Sequence, residues 1–351
     1  MALKLVQLGL GGWGRSWVQE VVREVPDIEP VAWVDVDATS REIATAELGL
    51  PPERVFGSLQ DVPERLGAEA ALVVVPLAAH ATATRAALEA ELHVLVEKPF
   101  TETLAEAAEL VALADARGRK LMVNQNYRWF PAPRLVRELL AKQAIGTAMG
   151  CYVDFHLLFD QSYRYFFLAE PLLSDMAIHH FDTMRFVLDD EPVEVSCQSW
   201  TEPASPFQGR PAAVATIRFA RGPVVSYRGS WLSRGPTTPY GGNWRIDGTT
   251  GSVEFSFRGA YATRETRDAV MLHLPGNPPT QASLPDLPLK DRKGALDAFR
   301  RWIADGGVVP EKPLSTGVDN LRSLALMFAA IRSAQEDGLP VRVADLLAEL
   351  R

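Results

Sequence analysis

Two short segments of this chain carry side chains of the kind that move protons. In Glu97-Lys98-Pro99 a lysine follows the apolar run His93-Val-Leu-Val. An ammonium in that place can hold a hydroxyl and stabilise negative charge developing on its oxygen. In Ser174-Asp175-Met-Ala-Ile-His179-His180-Phe-Asp182 a helical period puts Asp175, His179 and Asp182 at i, i+4 and i+7, on one face. A carboxylate beside an imidazole fixes its tautomer and supports the imidazolium, as a general base requires. An unperturbed imidazole titrates at about 6.5, so modest tuning suffices near neutrality. His180 points about 100° away and reads as packing or support. Ser174 or Asp175 is the expected N-cap of a helix running on through Leu188. Taken singly, the lysine has a plain alternative as a solvated residue after a strand, and the acid–histidine pair as part of a surface helix.

A third segment points to a cofactor. Residues 3–14 read Leu-Lys-Leu-Val-Gln-Leu-Gly-Leu-Gly-Gly-Trp-Gly, an apolar strand running into Gly9, Gly11 and Gly14 with a helical pattern after it. Gly9 allows the tight turn, Gly11 lets backbone approach a pyrophosphate, and Gly14 lets helix and strand pack, with the anion on the helix N-terminus. An acid about 20 residues on completes the dinucleotide fingerprint, and Asp35 ends the next apolar run. Its carboxylate suits the ribose 2′-OH of NAD and repels a 2′-phosphate, while Ser40 and Arg41 just beyond leave NADP open. Gly12 and Trp13, inside the loop, join the candidate cofactor contacts. Trp13 and Trp17, one turn apart, also read as packing.

The elements that must position these groups follow from periodicity. Residues 1–125 alternate apolar runs with helical patterns, the signature of a doubly wound parallel sheet. Its further members are Ala70–Val75, a helix from about His80 to Glu91, His93–Glu97, a helix over Thr103–Arg117 ended by Gly118, and Lys120–Asn124. Lys98 then stands at the carboxyl end of a parallel strand, the edge where such sheets bind ligands. From Thr147 the rhythm changes to paired strands: 150–159, 193–201, 213–219, 224–232 and 243–257. Arg221-Gly-Pro223 and Asp247-Gly-Thr-Thr-Gly251 are turn signals between them. Helical patterns at Lys293–Ile303 and Gly317–Gln335 close an α+β domain over 126–351, a mainly antiparallel sheet with helices on one face. The Pro-rich stretches 203–211 and 275–288 read as surface loops.

Candidates for substrate contact come from this second part. Alternation from Gly150 puts Tyr152, Asp154 and His156 on one face of a strand, where they suit the hydroxyls of a ligand or equally a solvated or interface surface. Ser162-Tyr-Arg-Tyr-Phe-Phe167 offers rings for stacking or packing. Asn126 and Arg128 stand where a cleft between the domains is expected, with structural hydrogen bonding as the alternative.

Bulk composition excludes several classes. The 351 residues are 47% hydrophobic and 23% charged, as in ordinary globular proteins, and the length favours two domains. A net charge of -8 attracts neither nucleic acid nor an anionic membrane. Cys151 and Cys197 form no disulfide framework and lack metal-ligand spacing, so no metal is expected. With no leader pattern at the first strand and no run able to span a bilayer, the expected location is the cytoplasm.

Together and in this order the motifs resemble the Gfo/Idh/MocA oxidoreductases, which include glucose–fructose oxidoreductase and inositol dehydrogenase. The resemblance rests on Gly9-x-Gly11-x-x-Gly14, Asp35, Pro76 with His80, Glu97-Lys98-Pro99, Asp175-x-x-x-His179-x-x-Asp182 and the turn Asp247–Ser252. It implies a Rossmann domain, then a domain with a large open sheet that forms homodimers or homotetramers. It implies hydride exchange between NAD(P) and a secondary alcohol of a sugar, cyclitol or polyol, with Lys98, Asp175 and His179 as the catalytic set. Pro76, His80, Glu97 and Lys98 join the cofactor contacts on the same ground. Leu77 departs from the usual Asn, Glu91 from a usual Gly and Ala177 from another, and Leu77 removes a side-chain contact to the cofactor. The same resemblance admits a cofactor-binding regulator without catalysis, a glycosidase that uses NAD transiently, and a dihydrodiol dehydrogenase-like enzyme.

Overall fold

Six apolar runs of the first part form strands: β1 (Leu3–Leu8), β2 (Ile28–Val34), β3 (Val55–Phe56), β4 (Ala70–Val73), β5 (His93–Val96) and β6 (Leu121–Val123). The computed structural model describes residues 2–159, 165–259, 268–306 and 314–350. Every pair in this sheet is parallel, in the order β3-β2-β1-β4-β5-β6. That is the expected doubly wound sheet, with its reversal of strand order between β1 and β4. Helices α1 (Gly12–Trp17), α2 (Ala38–Leu48), α3 (His80–Glu89) and α4 (Leu104–Ala116) make the crossovers. Helix α4 starts at a capping box in which Thr103 and Glu106 exchange hydrogen bonds. Parallel strands buried on both faces need continuous apolar sequence, and β4 and β6 are buried throughout.

The chain divides into two compact units, Met1–Asn126 with Leu289–Leu321, and Tyr127–Pro288 with Arg322–Arg351. The first differs from the expected residues 1–125 by the return of a late segment. A helix over Asp291–Ala304 packs on β5 and on the turn Val18–Val22, and Val123 N–H donates to the Ser315 carbonyl. A helical period fixes an element but not what its apolar face lies on.

The second unit holds α5 (Pro131–Ala141), β7 (Ala148–His156), α6 (Ile178–Leu188), β8 (Pro192–Trp200), β9 (Ala212–Phe219) and β10 (Val224–Ser230). After them come β11 (Asn243–Gly248), β12 (Ser252–Ser256), β13 (Ala269–His273), β14 (Thr280–Gln281) and β15 (Val341–Arg342). The nine strands run β14-β13-β12-β11-β7-β10-β9-β8-β15, antiparallel except for β7 with β10. Strands β13 to β15 were not legible as strands, two of them being only two residues long. One face of the sheet packs under α5 and α6, where Phe155 and Tyr227 meet His180 and Phe181. All eleven residues of α6 are buried. Both cysteines are buried thiols, and burial pushes Cys197 up to about 12. Among the described residues no helix is long and apolar enough to cross a membrane.

Candidate active site

The glycine loop is shaped by what a side chain would strike. Gly9 has φ of 104°, and a Cβ on it would lie 2.3 Å from the Val74 carbonyl oxygen, so the turn out of β1 presses against the end of β4. A Cβ on Gly14 would lie 2.2 Å from the Gly9 carbonyl, which is the close helix–strand packing expected of it. Around Gly11 and Gly12 a Cβ would meet nothing within 4 Å, so the room these two leave is room for a group other than protein. The Gln7 amide, which sequence reasoning passed over, donates to the Gly9 and Gly14 carbonyls at 2.9 and 2.8 Å. A glutamine in an otherwise apolar strand end was its only signal. Asp35 follows the end of β2, with Oδ2 accepting from Leu10 N–H at 2.6 Å and Oδ1 from Asp37 N–H at 2.9 Å. Arg41 donates to the carbonyls of Asp35 and Val36 at 2.7 and 3.1 Å. Exposed Pro76 lies beyond the end of β4 on the same edge. The open glycines and the oriented Asp35 carboxylate fit a dinucleotide.

Three of the expected cofactor contacts have partners within the protein. Glu97 is buried, and its Oε1 accepts from Trp13 Nε1, Trp17 Nε1 and Asn124 Nδ2 at 2.9, 2.7 and 3.0 Å. Its Oε2 accepts from Lys98 N–H at 3.0 Å. Two indoles, an amide and a backbone N–H thus solvate the carboxylate in place of water, and the carboxylate braces the turn. The Trp13 N–H is consumed in the same way. The Arg292 guanidinium lies 4.3 Å from the Trp13 ring centre and 5.3 Å from that of Trp17, and donates to Ser16 Oγ and Glu20. His80 is the third of them. Its Nδ1 is 2.8 Å from the Pro99 carbonyl and its Nε2 3.0 Å from that of Val75. Burial lowers its pKa, and it ties the end of β4 to the Lys98-Pro99 turn. Half-buried Lys98 follows β5 at the carboxyl edge, as expected. Asn126 donates its amide to Asp291 rather than standing open to a substrate.

In the second unit His179 lies in the first turn of α6 and is buried. The expected N-cap is corrected, because the helix begins earlier, as a π turn over Leu172–Ala177 capped at Pro171. Ser174 and Asp175 lie inside that wider turn, so a 3.6-residue phase does not carry from Asp175 to His179. Asp175 is buried there. Asp182 is committed to a different partner, since Arg128 grips it bidentately at 2.7 and 2.6 Å and Ser323 donates to it at 2.7 Å. Tyr127, beside Arg128, stacks on His179 with ring centres 4.3 Å apart and planes 12° apart. Its hydroxyl accepts from Arg258 at 2.6 Å. His180 packs as expected, with Nδ1 3.2 Å from the Tyr227 hydroxyl and Nε2 3.2 Å from the Tyr240 carbonyl. Tyr152 and Asp154 do not belong to this site. They lie on the opposite face of the sheet from α6, Tyr152 exposed and Asp154 paired with Arg228 at 2.6 Å. Alternation separates the two faces of a strand without saying which one a helix covers. Of the loop 162–167, Ser162, Tyr163 and Arg164 lie outside the described residues, and Phe167 is exposed.

Both halves match known proteins. The profile described as "Oxidoreductase family, NAD-binding Rossmann fold" matches residues 3–125, and that described as "GFO/IDH/MocA C-terminal domain" matches residues 134–254. D-apiose dehydrogenase of Paraburkholderia graminis is 29% identical over 355 residues, 97% of this chain and 90% of that protein. 1,5-Anhydro-D-fructose reductase of Ensifer adhaerens is 27% identical over 339 residues, 93% of this chain and 95% of that protein. An inositol dehydrogenase homolog of Azotobacter vinelandii, solved with NADH and myo-inositol, shares the fold with a TM-score of 0.81 at 20% identity, over 97% of this chain and 98% of that one. The chain is a member of the Gfo/Idh/MocA family of NAD-binding oxidoreductases.

Proposed function

We propose that the chain transfers hydride reversibly between a secondary alcohol carbon of a sugar, cyclitol or polyol and NAD, as a cytoplasmic homo-oligomer. The observation that carries this is the buried, ring-stacked imidazole of His179 at the head of α6. In this reading His179 takes the hydroxyl proton, and a buried imidazole held in one plane suits that task. Lys98 holds the same oxygen and favours its alkoxide character, and Asp175 orients His179 or holds a neighbouring hydroxyl. NAD, when bound, supplies the hydride acceptor. Gly9, Gly11, Gly12 and Gly14 give it room, Asp35 receives its ribose, and Pro76 borders it. The sugar-directed names of the relatives support the substrate class.

A panel of inositols, aldoses and keto-sugars, offered with NAD and with NADP, tests this reading by nicotinamide absorbance. One polyol should be oxidised, with NAD bound more tightly than NADP. His179→Ala should lower kcat by roughly 10²–10⁴-fold while NAD still binds. Silence across the panel, or a variant as fast as the parent, would remove the assignment. Equal affinity for the two nucleotides would overturn the role of Asp35.

A further inference from the structure

We infer that Tyr127, held by Arg258, is a positioning residue for His179, fixing the plane of the imidazole. The inference rests on the assignment of His179 as the base. A general base works through a lone pair in the ring plane, so rotation of the ring turns that lone pair away from the proton it must take. A face-to-face stack at 4.3 Å and 12° opposes that rotation and engages only the π face, leaving the in-plane directions of both nitrogens to other partners.

Three separate anchors hold the tyrosine ring in place. Phe130 and Phe257 meet it edge-on at 5.9 and 5.2 Å, and the ring is fully buried. The hydroxyl accepts from Arg258 at 2.6 Å and donates to the Tyr240 carbonyl at 3.3 Å. The next residue, Arg128, clamps Asp182, which lies one turn beyond His179 on the same helix. The turn bearing Tyr127 is thereby fixed to the helix bearing His179 at two points. Arg258 reaches its partner from a left-handed backbone, φ 51°, a conformation uncommon in a non-glycine residue. The stacked ring does the orienting, and the hydroxyl contacts add to its anchorage.

The test compares Tyr127→Leu, which removes the stack, with Tyr127→Phe, which keeps the ring and loses only the hydroxyl contacts. In Tyr127→Leu, kcat should fall about 10²-fold with KM for NAD unchanged, because a misplaced base damages chemistry rather than cofactor binding. Tyr127→Phe should restore most of it. The His179 ring-proton resonances, identified by their loss in His179→Ala, should lie upfield in the wild type and in Tyr127→Phe. They should return to ordinary imidazole positions in Tyr127→Leu. Wild-type kcat in the leucine variant, or ordinary His179 resonances in the wild type, would overturn the inference. The second observation decides the matter even if the leucine variant does not fold. The resonances also report when no polyol is turned over, so failure of the proposed reaction and failure of the stack are told apart.

Discussion

His180 is fully buried, its two ring nitrogens facing the Tyr227 hydroxyl and the Tyr240 carbonyl, and burial pushes its pKa down to about 4. The unfolded chain protonates this imidazole at about 6.5, well before the folded one does. Between those values the unfolded state binds more protons, so stability is complete above pH 6.5 and is lost as the pH falls toward 4. The loss attached to this one residue is on the order of 3 kcal/mol. His80, lowered by the same cause, acts in the same direction. His180→Gln should therefore flatten the fall in urea midpoint between pH 6.5 and 5, relative to the parent. Curves that run parallel through that window would show that His180 is not buried neutral. His179 and His180 differ by one position and about 100° of helical phase, and that rotation puts one ring on Tyr127 and the other into the sheet.

At the scale of elements, the junction of β1 and α1 makes the sharper demand. An alanine at Gly14 would put its Cβ 2.2 Å from the Gly9 carbonyl, and relief means separating helix from strand. Gly14→Ala should cost the nucleotide-free protein about 1–3 kcal/mol, as overpacking does. Gly12→Ala meets nothing within 4 Å and should leave that stability unchanged or slightly raised. Equal melting temperatures for the two variants would show that the loop relaxes more freely than its backbone suggests. This junction was legible because a glycine spacing, an apolar strand and a distant acid all encode one backbone shape. The parallel sheet was legible because strands covered on both faces read as unbroken apolar runs. The π turn before α6 was not, since an i→i+5 turn leaves no periodic mark in sequence. Glu91 is a subtler case. It departs from the family's glycine yet keeps the left-handed backbone, φ 59°, and Arg117 and Arg119 pair with its carboxylate.

At the scale of the molecule, the chain passes between its two compact units three times, after Asn126, Pro288 and Leu321. Periodicity sees the first passage as a change of rhythm and is blind to the others, because a returning helix looks like any other. The face of the nine-stranded sheet turned away from α5 and α6 poses a different question. It presents Tyr152, Trp200, Val214 and Val224, between 37% and 45% exposed, among charged neighbours such as the Asp154–Arg228 pair. Large apolar side chains gathered on one sheet face are costly to leave in water, and a polar-rimmed patch of this kind suits a partner surface. A second copy of the chain is the partner proposed here, and a stable interface of about 1,600 Å² would cover much of such a sheet. Val214 stands between Gln198 and Arg228 on the neighbouring strands, so Val214→Lys sets a second cation beside the arginine and leaves the buried face untouched. Combined with Trp200→Lys, it should turn a dimer or tetramer into a monomer by sedimentation, with little change in the monomer's fold. A parent chain that sediments as a monomer, or a double variant that keeps its assembly, would move the interface off this face.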